Sequence, residues 1–84
     1  MNKLHLLTDK AKELSKLPLV ELAGTDRVLI ENHMGVLSYS LEEIEIKVTY
    51  GKLSVTGSNL KLMQMNREQM VINGKIEKIN LYRR

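Results

Sequence analysis

His5 and His33 are the only two histidines of the chain, and there is no cysteine. A zinc site draws its ligands from Cys, His and carboxylates at set spacings, such as two histidines four apart on a helix. Neither histidine has a neighbour of that kind. Glu31 and His33 stand two apart and share a face if a strand runs through both. Two ligands do not make a metal site, and the plainer reading of His33 is a turn residue whose ring hydrogen-bonds the backbone. Ser15, Ser38, Ser40, Ser54 and Ser58 sit in no recognisable nucleophile turn with a base and an orienting acid. Glu42, Glu43 and Glu45 cluster closely enough for proton transfer between a carboxylate pair and a substrate. Their place at the start of an alternating stretch reads instead as a solvated acidic edge. The five glycines are isolated, so no Gly-rich loop cradles a phosphate. The expectation is a chain without catalytic, metal-binding or cofactor-binding residues, and so not an enzyme.

The methionines raise a different chemistry. In Leu62-Met63-Gln64-Met65, strict alternation cannot bury both Leu62 and Met63 on one face. Either the strand is apolar on both sides, or Met63 and Met65 form an exposed patch. Flexible methionines suit adaptable interfaces, and exposed apolar patches on small proteins mark association sites. Met63 and Met65 are therefore the candidate interface, with plain core packing as the competing reading.

The elements that carry these residues follow from hydrophobic period. Leu4, Leu7, Ala11 and Leu14 recur at three- and four-residue steps, which predicts an amphipathic helix near the start, within residues 1–17. It packs on the core, or it is a frayed arm, or it docks on a partner or membrane surface. Pro18 ends it, because proline disfavours helical geometry at the preceding residue. From 18 to 84 the period is two, and a single β domain is expected. Short strands are read at Leu19–Leu22, Val28–Glu31 and Val36–Tyr39. Ile44, Ile46, Val48 and Tyr50 then alternate with Glu45, Lys47 and Thr49, the mark of a half-buried strand. Gly51, Gly57 and Gly74 are read as turn glycines. Asn73-Gly74 between apolar runs is the strongest short hairpin signal in the chain. The three-residue step from Ile76 to Ile79 predicts a bulge at Glu77 or Lys78. The expected fold is mainly β: an N-terminal helix, then an antiparallel meander closing into a roll, sandwich or small barrel.

Composition narrows the function classes. Eighty-four residues bury only about 60–65% of the unfolded surface, which leaves little for a deep ligand pocket. No run of apolar residues is long enough to span a bilayer, and the first ten residues do not read as a signal peptide. The net charge of +3 is spread along the chain, and Phe and Trp are absent, with three tyrosines only. Binders of single-stranded nucleic acid stack bases on aromatic platforms, so a nucleic-acid partner is not the expectation. A small Sm-like nucleic-acid-binding barrel is the alternative reading, since a helix followed by bent strands describes that class too.

From Arg27 onward the chain resembles the YabP/YqfC family of sporulation proteins, on its YqfC-like branch. The resemblance is carried by Ile30-Glu31-Asn32-His33 with Gly35, then Ser40 and Ile44. Gly51-Lys52-Leu53-Ser54-Val55-Thr56-Gly57, Leu60 and Leu62 follow. Ile72-Asn73-Gly74-Lys75-Ile76, Ile79 and Leu81-Tyr82 complete it. The Glu31-Asn32-His33-x-Gly35 element is the more specific part and reads as a family-motif turn. Met34 stands where the family pattern often has a basic residue, and the stretch before Arg27 is short. The resemblance implies a cytoplasmic protein of the mother cell in an endospore-forming bacterium, peripheral to the forespore membrane. It also implies a structural or scaffolding role in cortex or coat development, beside a YqfD-type sporulation membrane protein or as a homo-oligomer. It carries over no catalytic residue and no cofactor.

Overall fold

The computed structural model describes residues 16–84; the helix expected within residues 1–17 falls almost wholly outside them. Six strands follow one another: β1 (Leu19–Ala23), β2 (Arg27–Glu31), β3 (Val36–Tyr39), β4 (Glu43–Val48), β5 (Gly51–Met65) and β6 (Gln69–Arg83). They form one antiparallel sheet in the order β1-β2-β6-β5-β4-β3. The sheet does not close. Among the described residues β1 and β3 are its two edges, so the expected roll or barrel closure is corrected to an open sheet. Nor is it a simple meander, because β2 pairs with β6 across a long stretch of sequence.

Two 15-residue strands, β5 and β6, form the spine. The first half of β6 takes β2 as its second neighbour, and the first half of β5 takes β4. The spine is irregular along its middle. Thr56 faces Lys78 while Gly57 faces Ile76, so Glu77 is an extra residue, at one of the two positions the Ile76–Ile79 spacing indicates. Further shifts fall between Ser58 and Lys61 and between Leu62 and Gln64. Bulges increase local bend and twist. Here they let the two halves of the sheet share one interior. Val28, Ile30, Met70 and Ile72 come from one half, and Ile44, Ile46, Val48, Leu53 and Val55 from the other. Together with Leu60 they form a single buried cluster.

Strand alternation accounts for which residues those are. In β4 the odd positions Glu43, Glu45 and Lys47 face outward while Ile44, Ile46 and Val48 are buried. The pattern stops at Val48, one step earlier than the alternation suggests. Thr49 and Tyr50 form the two-residue turn into β5, and Tyr50 has φ 70°. On the outer face, Lys52 Nζ lies 2.6 Å from Glu45 Oε2 and 5.5 Å from the centre of the Tyr82 ring. Ser38 Oγ donates to the other Glu45 oxygen at 2.9 Å. The hydrogen bond from Lys52, then that from Ser38, holds the Glu45 carboxyl below its usual range. The same contact raises Lys52. Both side chains are partly exposed, where solvent and salt screen the pair. Ser54 is the only buried polar residue described, and its hydroxyl donates to Glu43 Oε2 at 2.7 Å.

Gly57 and Gly74 are not turn residues. Both lie inside strands, and only Gly51 directly follows a turn. Asn73-Gly74 is not a hairpin tip either: Asn73 faces Arg27 on one side and Lys61 on the other. The backbone N–H groups of Gly74 and Ile76 reach the carbonyls of Asp26 and Thr25. A central position with neighbours on both flanks outweighs the local turn preference of the pair. The β5–β6 turn is made instead by Asn66, Arg67 and Glu68. There Asn66 Oδ1 accepts from the N–H groups of Glu68 at 2.9 Å and Gln69 at 2.8 Å, the local bonding that makes asparagine a turn former.

Candidate functional site

Glu31, Asn32, His33 and Gly35 occupy the end of β2 and the link from β2 to β3, where the chain passes from one half of the sheet to the other. The link needs backbone bends that few residues accept. Asn32 has φ 61° and Gly35 has φ 110°. Asparagine tolerates the left-handed region better than most side chains, and glycine is free of the penalty.

The residues of the motif tie the link to several other segments. Asn32 N–H donates to the Glu68 carbonyl at 2.7 Å, and its side-chain amide donates to the Leu17 carbonyl at 3.0 Å. Gly35 N–H donates to His33 Nδ1 at 3.0 Å. That acceptor role leaves the ring proton on Nε2, which donates to the Asn66 carbonyl at 2.8 Å. Met34 N–H donates to the Lys47 carbonyl at 2.7 Å, and Lys47 N–H returns a bond to the Gly35 carbonyl at 2.9 Å. Glu31 Oε1 accepts from Gln69 Nε2 at 3.4 Å. The motif thus joins four pieces of chain: the entry segment at Leu17, the β5–β6 turn, β4 and β6. It fastens the open side of the bent sheet.

The chemistry of the arrangement is that of a fastener. Both His33 nitrogens are engaged by backbone groups. Among the described residues no three His, Asp or Glu side chains are grouped so as to hold a metal ion. Replacing His33 with alanine removes two hydrogen bonds and frees one partly buried N–H. The expected loss is about 1–2 kcal/mol, read as a lower urea midpoint. A double-mutant cycle with Asn66 reports little coupling through the side chain of Asn66, because His33 reaches its backbone carbonyl.

Met63 and Met65, which the sequence groups as one patch, point to opposite faces. Leu62 faces Ile72 and Gln64 faces Val71, so Met63 is the extra residue of a bulge. It lines a shallow outer groove of about 450 Å³ with Arg27, Leu29, Gln64, Val71 and Asn73. Met65 faces Met70 and so lies on the inner side, at the margin of the core. Both are about half exposed.

Sequence reasoning did not find two exposed apolar groups. One lies on the edge strands: Leu19 and Leu22 on β1, Leu37 and Tyr39 on β3. The other gathers at the strand ends around Tyr50, Leu81 and Tyr82. The signal for the second was present as Lys47 to Lys52 and Leu81 to Arg84, two runs mixing bases with tyrosine and no acid. Only the register brings them together.

Comparison with known proteins gives three findings. The YabP family matches residues 16–84. A Bacillus subtilis (strain 168) protein, described as the uncharacterized protein YqfC, is 28% identical over 61 residues. That match covers 73% of this chain and 66% of the relative, just under two thirds of its length. No solved structure matches.

Proposed function

Since the chain belongs to the YabP family, we propose that it is a non-enzymatic interaction module of endospore-envelope development, acting in cortex or coat formation. In this reading it works in the mother-cell cytoplasm, peripheral to the forespore membrane. It associates with further copies of itself through its sheet edges, or docks on a YqfD-type sporulation membrane protein. No helix among the described residues is long and apolar enough to cross a membrane.

One observation carries this reading. Among the described residues the edge strands pair on one side only and carry large apolar side chains, Leu19 and Leu22 on β1 and Leu37 and Tyr39 on β3. Soluble proteins ordinarily blunt such edges with lysine, proline or a bulge. β1 carries neither lysine nor proline within its five residues and a single charge, Glu21, while β3 has a register shift between Val36 and Ser38. An edge left this way is a template for another strand.

Light scattering on the purified full chain tests it. The expected result is a mass that rises with concentration and falls to that of one chain in Leu19→Lys with Leu22→Lys. A monodisperse monomer at every concentration removes the self-association half. Failure to co-purify with a co-expressed YqfD-type protein then removes the other.

A further inference from the structure

We propose that the rim of strand ends around Tyr50 is a docking surface for an anionic lipid bilayer. Val48 pairs with Gly51, and Gly51 with Arg83, so the β4–β5 turn and the end of β6 lie side by side. The Arg84 N–H fixes this by donating to the Tyr50 carbonyl at 2.9 Å. Two surface grooves flank the rim and share Arg83 and Arg84. One, of about 500 Å³, is floored by Leu17, Pro18, Tyr50 and Leu81. The other, of about 380 Å³, is lined by Leu37, Lys47, Lys52 and Tyr82. Apolar side chains therefore lie beside the bases Lys47, Arg83 and Arg84 at one end, with Lys52 held to Glu45 next to them. That composition suits the headgroup boundary, where tyrosine and aliphatic groups enter and Lys and Arg meet anionic headgroups.

Tyr50 is the sharpest sign. It is 63% exposed and holds φ 70°. The second residue of a two-residue turn with positive φ is ordinarily glycine or asparagine. A largely solvent-facing tyrosine there gains little packing to offset the unfavourable backbone, and such costs concentrate at functional positions. The chain entering the domain adds to the same place. Thr49 Oγ1, next to Tyr50, donates to the Lys16 carbonyl at 2.9 Å. The Lys16 carbonyl is thereby held at the rim. Basic and apolar residues of three described stretches, 16–18, 47–52 and 81–84, converge on one end. That favours a charged lipid surface over an acidic protein, which needs no exposed tyrosines and leucines among the bases.

Flotation of the full chain with vesicles tests the proposal. Vesicles of phosphatidylcholine mixed with phosphatidylglycerol are expected to carry the protein, less so as salt rises. Vesicles of phosphatidylcholine alone are not. Arg83→Glu with Arg84→Glu lowers partitioning by about fivefold or more for each base removed. Tyr50→Asn weakens flotation while its melting temperature stays equal to or above that of the parent chain, which separates lost docking from lost folding. No flotation on anionic vesicles overturns the proposal. So does equal flotation of all variants, which would put binding elsewhere, or equal binding to neutral vesicles. Retention of a single-stranded oligonucleotide through the same residues, in preference to vesicles, assigns the rim to nucleic acid and overturns it too. Self-association is measured without lipid, so a failure here leaves that reading standing.

Discussion

Gly57→Ala is expected to unfold most of the chain at room temperature or leave it insoluble. A Cβ at Gly57 would sit 1.9 Å from the Lys75 carbonyl oxygen, 3.0 Å from its carbon and 3.3 Å from the Glu77 nitrogen. All three are backbone atoms, so no side chain can turn aside. The approach is close because Glu77 is the extra residue of β6, which swings that backbone against β5. Overpacking a core costs about 1–3 kcal/mol when side chains can adjust, and here the spine itself would have to part. A domain of this size has a total stability of roughly 4–12 kcal/mol. Thermal and urea unfolding followed by circular dichroism read the effect. Gly24 supplies the control: it has φ 62° with nothing within 4 Å of a would-be Cβ, and asparagine is expected to be tolerated there. A Gly57→Ala chain that melts with the parent would show that the spine is not bulged as described.

The second large effect is expected from Leu60→Ala, about 2–5 kcal/mol of lost stability. Leu60 is fully buried, although it sits in the irregular middle of β5, between the shifted pairs at Ser58 and Lys61. Three contacts make it a pivot. Its Cδ2 and Cα occupy the space a side chain on Gly74 would need. Its N–H donates to the Leu41 carbonyl at 2.9 Å. Its carbonyl accepts from the Tyr39 hydroxyl at 3.4 Å, and that hydroxyl in turn accepts from Leu62 N–H at 3.2 Å. Emptying this point removes packing where the two halves of the sheet meet. Met63→Ala, three residues on but half exposed, is expected to change stability by no more than about 0.5 kcal/mol. Indistinguishable urea midpoints for the two variants would contradict the placement of Leu60 in the core.

The contrast between Leu60 and Met63 also shows how far sequence reasoning reaches in this fold. Alternation over Ile44–Val48 identifies a half-wet strand and its buried side, because both are properties of a single strand. The Ile76–Ile79 spacing locates a bulge for the same reason. Pairing β2 with β6 depends on contacts far apart in sequence, and no local pattern encodes it. Asn73-Gly74 illustrates the cost. Its turn chemistry is real, but β2, β5 and the β1–β2 turn enclose it, and the glycine serves close approach to Leu60 instead of reversal. Met63 and Met65 were grouped by a two-residue period that fails across a one-residue bulge. The Glu31-Asn32-His33-x-Gly35 element was legible as a turn. Its partners at Leu17, Lys47, Asn66 and Glu68 were not, since each comes from another stretch of chain.

The unlikeness of the two outer strands bears on any assembly built from them. If like strands meet, β1 against β1, the pair is self-complementary and stops at two. If β1 of one molecule lies along β3 of the next, each addition regenerates the surface it consumed. The product then is a directional thread whose length is set by supply or by whatever blocks an end. A growth curve without a plateau mass, abolished from one terminus by Leu22→Lys and from the other by Leu37→Lys, would mark the second arrangement.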